Sequence, residues 1–461
     1  MTIISGKQNY ELNSIGEIKE FFKNNLIPTY YVSLTKVNLL NIDKWVKKFK
    51  YITLDDELYS KKLKAHKLDL NHNLFANIIL SDPILIEEIK SSIIKPSFVF
   101  LKYNASTEAL LKKHDFQLLN PPYNLYEQID SKIDILETIE KLGIPSVPYH
   151  IAEINDHSDI DNIKKKFGNR LVIQSPLGSS GEGTYFIRSE QDIIKYKDEI
   201  FNNGPMRIMK EISCKPYGID ACATRCGTIL GPVLTDLVGD RNLTDYEGGS
   251  CGNEIFKDVI DEENKYKILE YTKKIGNYLY NQKNFRGSFT VDYLLDRMTN
   301  KVFFGEINPR ISSAGFLTNE VTGIAGIPMF LFHLLEYFDV NFKISVDEFN
   351  LNIQHISNKN YFSQLILTHT DDQVGSTKNV KSGIWKLSDD NSIVFMRSGE
   401  CINDIKDESE AFIYTSSSSS NIIKGDSVGR IAFKNRIMDD QYQLIDRAVS
   451  WVNLFKRRLS K

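Results

Sequence analysis

The sequence predicts an α/β chain, α+β in its later part, and three observations carry that prediction. Residues 1–120 alternate short β-branched and aromatic runs with amphipathic helical patterns. Residues 121–345 join pairs of strand-like runs through glycine-rich or polar turns. Residues 346–461 string short strands together and close on one helix.

In the first block TYYVSL, NIILSD and SFVFLKY read as strands, and IGEIKEFFKNN, PILIEEIKSSI and STEALLKKH as helices. That alternation predicts a small layer with a mainly parallel sheet. In the second block LVIQSPLGSSGEGTYFI at 171–187 is a strand, a Gly/Ser loop and a second strand. Gly178, Ser179, Ser180, Gly181 and Gly183 let backbone turn tightly and present N–H groups and hydroxyls to phosphate oxygens. No Gly-Lys-Ser/Thr follows, and the glycine spacing and the succeeding strand do not match a dinucleotide fingerprint. Alone, the segment reads more readily as a glycine-rich hairpin turn.

The segment 286–313, RGSFTVDYLLDRMTNKVFFGEINPRISS, reads as a β-hairpin with DRMTN as its turn. Side chains alternate faces along a strand, so Glu306 and Asn308 share one face, and Asp292 lies on it directly or diagonally opposite Glu306. An Asp, a Glu and an Asn amide make a hard oxygen site of the kind Mg²⁺ prefers when it also holds phosphates. Arg310 is placed to steady an anionic substrate. Alone, these residues also describe an ordinary hairpin with a polar face. ENKYKILEYTKKIGNYLYNQ at 263–282 has helical spacing and is expected to pack on the sheet. DRNLTDYEGGSCGNEI at 240–255 fits a mobile active-site loop or a plain surface excursion, with Asp236, Arg241, Cys251 and Asn253 as candidate substrate contacts.

In the last block SQLILTHT, GIWKL, SIVFMRS, AFIYTS and RIAFKN are strands, and QYQLIDRAVSWVNLFKRRL is the closing helix. The tract Ser416–Ser420 is low in complexity and reads as a hairpin tip. The terminal KRRLSK reads as a solvated helix end, where cations are favoured.

Composition bounds the function. The chain has 461 residues, enough for about three domains, with 41% hydrophobic and 25% charged residues. A net charge of −3 gives no electrostatic case for nucleic acid or an anionic membrane. The start MTIISGKQNYELNS has no apolar signal core, and GIAGIPMFLFHLLEYF at 323–338 is too short to span a bilayer and reads as a buried helix. A cytoplasmic protein is therefore expected. Five cysteines, at 214, 222, 226, 251 and 401, form neither a disulfide framework nor a zinc pattern and read as inert thiols.

Taken in order, the strand–Gly/Ser loop–strand and the later hairpin ending in E-x-N-P-R resemble the ATP-grasp superfamily. The resemblance implies an ATP-grasp fold. Residues 1–120 would be a pre-ATP-grasp domain, 121–345 the nucleotide-binding core with a lid at about 150–215, and 346–461 a β-rich domain. RIMKEI at 207–212 resembles the hinge strand that holds adenine, which implies Lys210, Glu211 and Ile212 there. NPPYNLYEQIDSKIDILETIEKLGIPSVPYH at 120–150 resembles the lead-in segment, which implies that Lys132 reaches the phosphates. FGEINPRISSAGF looks like the magnesium segment, which implies Asp292, Glu306 and Asn308 as metal ligands and Glu306 and Arg310 as catalytic residues. One departure stands out: most members carry lysine where this chain has Gln174. Glutamine donates a hydrogen bond but brings no charge, and a similar Q-x-P-x-G-x-S-G run belongs to peptide-ligase-like branches.

The implied cofactors are ATP and Mg²⁺, with Mn²⁺ as an alternative. The implied reaction is ADP-forming carboxylate–amine ligation through an acyl-phosphate, on amino acids or peptides. Loading an amino acid onto a carrier protein and ATP binding without turnover are the alternatives. A biotin-dependent carboxylase ranks below them, because further signature residues for bicarbonate activation are not placed. A homodimer is the base-rate expectation.

Overall fold

The computed structural model describes residues 11–54, 71–178, 181–416 and 422–459. The first block builds a four-stranded parallel sheet in the order Phe49–Ile52, Thr29–Val32, Ser97–Phe100, Gln117–Leu118. Helices Ile15–Asn24, Pro83–Lys90 and Ala105–His114 follow the expected spacing. NIILSD, expected as a strand, belongs instead to helix His72–Ser81. A continuous apolar run carries no period of its own. Here Asn71 caps the helix by accepting from the Leu74 amide, and Phe75, Ala76, Ile79 and Leu80 bury one face. Asp82 ends that helix and caps the next, which starts with Pro83.

The second block contributes a small antiparallel sheet in the order Tyr149–Glu153, Pro205–Lys210, Leu171–Gln174, Thr184–Ile187. Helices His157–Phe167 and Glu190–Ile200 cover one face, packing Ile160 and Ile193 with Leu171, Ile173 and Ile208. Period-two alternation then turns Val172, Gln174, Arg207 and Met209 to the other face.

A ten-stranded antiparallel sheet runs through the rest. Its order is Val302–Asn308, Gly287–Asp296, Cys214–Thr224, Gly227–Val238, Ser250–Ile255, Phe362–Thr368, Ser427–Phe433, Glu410–Thr415, Gly383–Leu387, Ile393–Arg397. Helix Glu262–Lys283 packs Ile268, Ile275 and Leu279 against one face. Gly315–Ala325, Phe330–Tyr337 and Val346–Lys359 cover the other, facing the first block. The expected single helix over 323–338 is thus two helices bent by 90°. Pro328 lacks the amide that would continue the first helix, and Gly326, at φ 152°, turns the chain before it. Among the described residues no single helix is long and apolar enough to cross a membrane.

The closing helix is shorter than expected, Asp446–Leu459. Upstream, the Asp439 carboxylate accepts from the Gln441 and Gln443 amides and Tyr442 takes φ 64°, so 441–445 turns instead of coiling. Part of 240–255 is likewise no loop. Ser250–Ile255 is an interior strand, paired on both sides. All five cysteines are free; Cys222 and Cys251 are buried and the others half-buried. Residues 417–420 of the serine tract lie outside the described residues.

Candidate active site

A cleft of about 380 Å³ separates the open face of the small sheet from the edge of the large one. Its two ends differ in chemistry.

The polar end is built by the acidic hairpin. The register sets Asp292 directly opposite Glu306 and Thr290 opposite Asn308. A bulge follows Asp292, leaving Gly305 as the extra residue. A Cβ at Gly305 would stand 2.9 Å from the Asp292 carbonyl oxygen, so only glycine fits. The Asn308 amide nitrogen lies 3.3 Å from Asp292 Oδ2 and 3.3 Å from Glu306 Oε1. A third carboxylate, Asp236, joins from a neighbouring strand. A Cβ on the intervening Gly218 would stand 3.3 Å from Asp292 Oδ1 and 3.5 Å from Asp236 Oδ2, so the glycine leaves the space over which both acids converge. Ser250 and Asn253 donate to Asp236, and Gln364 donates to Asn253.

The electrostatics follow from that crowding. Burial first, then the neighbouring Glu306 and Asp236 charges, push the Asp292 carboxyl well above the usual carboxylate range. Burial also pushes Asp236 up to about 7. Burial alone would raise Glu306 too, but the Lys132 ammonium, aided by Asn308 and Arg310, outweighs it and holds that carboxyl below its ordinary value. Lys132 Nζ lies 3.2 Å from Glu306 Oε2 and donates to the Gly178 carbonyl at 3.1 Å, while its backbone amide donates to Pro176 at 2.8 Å. Asp292 and Glu306, with Asp236 nearby, make an oxygen-rich end beside the Lys132 ammonium. Among the described residues no group of three or more His, Cys, Asp or Glu is arranged to hold a metal ion by itself, so a hard divalent cation there would take further oxygens from a phosphate or water. As oriented, Asn308 turns its amide nitrogen toward the acids and its oxygen to Arg310 Nη2 at 2.6 Å. Ligation by its oxygen requires the amide rotated, an assignment set by the surrounding network.

Arg310 stands behind this end and does not line the cleft. Its Nη1 pairs with Asp130 and donates to the Tyr126 hydroxyl at 3.0 Å, and its Nη2 holds Asn308. Above, the glycine loop bends at Gly181 and Gly183, with φ 88° and 73°. A Cβ at Gly181 would stand 2.7 Å from the Gly249 nitrogen, so the loop rests on the 240–249 turn. Gly178 accepts from Lys132. Ser179 and Ser180 lie outside the described residues.

The other end is apolar. Val147, Val172, Phe186, Met209 and Leu294 line it beside Ile212. Lys210 is the exposed last residue of its strand, and Glu211 is held by Arg170 at 2.9 Å and Arg188 at 2.7 Å. Gln174 faces the cleft between the two ends and donates to Thr184 Oγ1 at 3.3 Å.

Among the sequence candidates, Lys132, Gln174, Gly181, Lys210, Glu211, Ile212, Asp292, Glu306 and Asp236 all line this cleft. Two others do not. Arg241 is turned back on the Asp245 carbonyl at 2.5 Å, and Cys251 is buried in the core beneath the sheet. Sequence reasoning missed Phe186, Met209 and Arg207. The available signal was Arg207 itself, a charge at the cleft-facing position of an otherwise apolar strand. A larger open depression of about 740 Å³ lies elsewhere, lined by Lys215, Glu254, Arg436 and Tyr442 among others, and no glycine lines it.

Comparison with known proteins agrees with this geometry. Residues 259–331, which contain the acidic hairpin, match the family described as carbamoyl-phosphate synthase L chain, ATP binding domain. A biotin carboxylase from Nostoc is 23% identical over 244 residues, covering 51% of this chain and 52% of the relative. The 2-oxoglutarate carboxylase small subunit from Hydrogenobacter thermophilus is 20% identical over 289 residues, covering 60% and 56%. The chain thus spans about half the length of these relatives. Among solved structures, the biotin carboxylase domain dimer of the Hydrogenobacter enzyme, in complex with MgADP, ADP and bicarbonate, superposes with TM-score 0.61 at 12% identity over 88% of this chain and 86% of that one. N5-carboxyaminoimidazole synthetase from Staphylococcus aureus, complexed with ADP, gives 0.57 at 13% identity over 93% and 96%. The chain has the ATP-grasp fold. The curated relatives it matches are named as carboxylases.

Proposed function

We propose that the protein is an ATP-dependent carboxylate–amine ligase that works through an acyl-phosphate and releases ADP and phosphate. The observation that supports it most is the convergence of Asp292, Glu306, Asn308 and Lys132 at one end of a cleft whose other end is an apolar slot beside the 210–212 hinge.

In this reading the adenine lies between Val172, Phe186 and Met209, with hinge backbone at Glu211 and Ile212 along its edge. The loop from Gly178 to Gly183 covers the phosphates, and Lys132 reaches them from below. Asp292, Glu306 and Asn308 hold Mg²⁺, which neutralises phosphate charge when bound. A substrate carboxylate oxygen attacks the terminal phosphorus, and the bond to ADP breaks. An amine nitrogen then attacks the acyl carbon, phosphate leaves, and the nitrogen gives up its proton. Phosphorylation is what makes the acid reactive, since oxide is otherwise the leaving group. Arg310 holds the Asn308 oxygen in the orientation seen here, a bond that the amide gives up when it rotates to bind the metal.

A second reading draws on the relatives' names, which are those of carboxylases. The same phosphoryl transfer to bicarbonate gives carboxyphosphate, and an amine or enzyme-borne carrier accepts the carboxyl group. ADP release with Mg²⁺ and ATP separates the readings. Dependence on pooled amino acids, lost in Glu306→Gln, supports the ligase. Dependence on bicarbonate supports the carboxylase. Release by neither, from a protein that binds ATP, directs the test to carrier proteins as acceptors, and failure there leaves ATP binding without turnover.

A further inference from the structure

Arg207 is buried in the wall of the cleft and is poorly satisfied there. Its side chain is 1% exposed. Nη1 donates to the Gly305 carbonyl at 2.9 Å and reaches Gln174 Oε1 at 3.5 Å. Nε and Nη2 are buried and have no hydrogen-bond partner among the described residues. No carboxylate among those residues lies within ion-pair distance of it. Its other neighbours are the Tyr149 ring, 5.7 Å from the guanidinium, and, beyond ion-pair distance, the Glu306 charge, which favours its charged form. Burial lowers its pKa to about 10, which leaves it a cation at neutral pH. A buried guanidinium with two idle nitrogens is expensive, and a protein that keeps one in a cleft wall presents it to an anion.

Its place narrows the anion. Arg207 and Gln174 are directly paired across adjacent strands and turn to the same face. The carbonyl that anchors Arg207 belongs to the residue before Glu306. The guanidinium therefore sits between the glutamine that brings no charge and the acidic end. We propose that Arg207 is the lid's phosphate-binding cation, supplying from the neighbouring strand the charge that Gln174 lacks, to the phosphate oxygens of a nucleoside di- or triphosphate. A guanidinium fork suits that role because it offers two parallel donors to two oxygens. This rests on the nucleotide reading of the cleft given above.

Calorimetric titration of ATP, ADP and adenosine tests it in the wild type, Arg207→Gln, Arg207→Lys and the double variant Gln174→Lys/Arg207→Gln. Arg207→Gln is expected to weaken ATP and ADP by about 10- to 100-fold, the value of a charge-assisted bond, with adenosine changed less than about 2-fold. The double variant returns the charge on the other strand and is expected to recover ATP to within about 5-fold of wild type. Equal loss for all three ligands would make Arg207 a structural pin between the sheets and overturn the proposal, as would no loss for ATP. Should Arg207→Gln fail to fold, Arg207→Lys, which keeps the charge and loses the fork, is expected to weaken ATP and ADP by up to about 10-fold with adenosine unchanged, and equal loss for all three ligands overturns the proposal. A wild type that binds none of the three removes the nucleotide reading itself, whereas unselective loss removes only the role of Arg207.

Discussion

The hairpin end of the large sheet and the facing small sheet each bury an arginine, and they treat it in opposite ways. Arg310 pairs with Asp130 and spends its remaining donors on Tyr126 and Asn308. Arg207 has one good hydrogen bond and two idle nitrogens. A buried charge whose partners all belong to the protein holds structure. A buried charge left short of partners in a cleft wall is shaped for something that arrives.

The largest expected break in that comparison is Glu306→Gln. It removes a carboxylate from the end where charge is concentrated, and ADP release should fall by about 10²- to 10³-fold with the fold intact by circular dichroism. Next is Asp130→Asn, which leaves Arg310 buried without its counter-ion; guanidinium unfolding should show a loss of about 3 kcal/mol. Arg207→Gln in the same assay should change stability by less than about 1 kcal/mol, because the desolvation cost of the buried cation it deletes offsets the one charge-assisted bond to Gly305. Equal losses for the two would erase the distinction.

A buried carboxylate extends the comparison to pH. Burial first, then Asp404, pushes Glu320 up to about 7, against hydrogen bonds from the Ile402 amide at 3.3 Å and from Asn41, and the Lys44 charge. Its folded value exceeds the unfolded one, so its stabilising share is complete below about pH 4 and is lost as pH rises through 7. Glu320→Gln should match the wild type near pH 4.5 and exceed it by roughly 1–2 kcal/mol at pH 8, read from unfolding curves at both values. The smallest effect is Ser189→Ala. It breaks the capping box with Asp192 and should destabilise helix Glu190–Ile200, which covers the small sheet, by about 1 kcal/mol, seen as faster amide exchange there.

The parts of the site legible in the sequence were those whose chemistry is local. The alternation of Asp292, Glu306 and Asn308 on a hairpin, and glycines between two strands, follow from period two and backbone freedom. Local pattern failed where one signal serves two structures, as in the apolar run NIILSD. It failed again where a side chain held a turn, as Asp439 does before the closing helix. Cys251 and Arg207 needed knowledge of which face of a strand is core and which is cleft, and only the packed helices decide that.

The strand Ser250–Ile255 has a consequence for any attempt to take the chain apart. It pairs with Gly227–Val238 on one side and with Phe362–Thr368 on the other. The side chains repeat the stitch, since Gln364 donates to Asn253, which donates to Asp236. A cut after residue 345 would not fall at a hinge between modules; it would rip a seam. The strand would be left as a bare border of unspent amides and carbonyls, ready to recruit another chain into fibrous or amorphous assemblies. The acidic end of the cleft would lose its far anchor at the same stroke. Fusion, shuffling or truncation should treat residues 214–433 as one fabric.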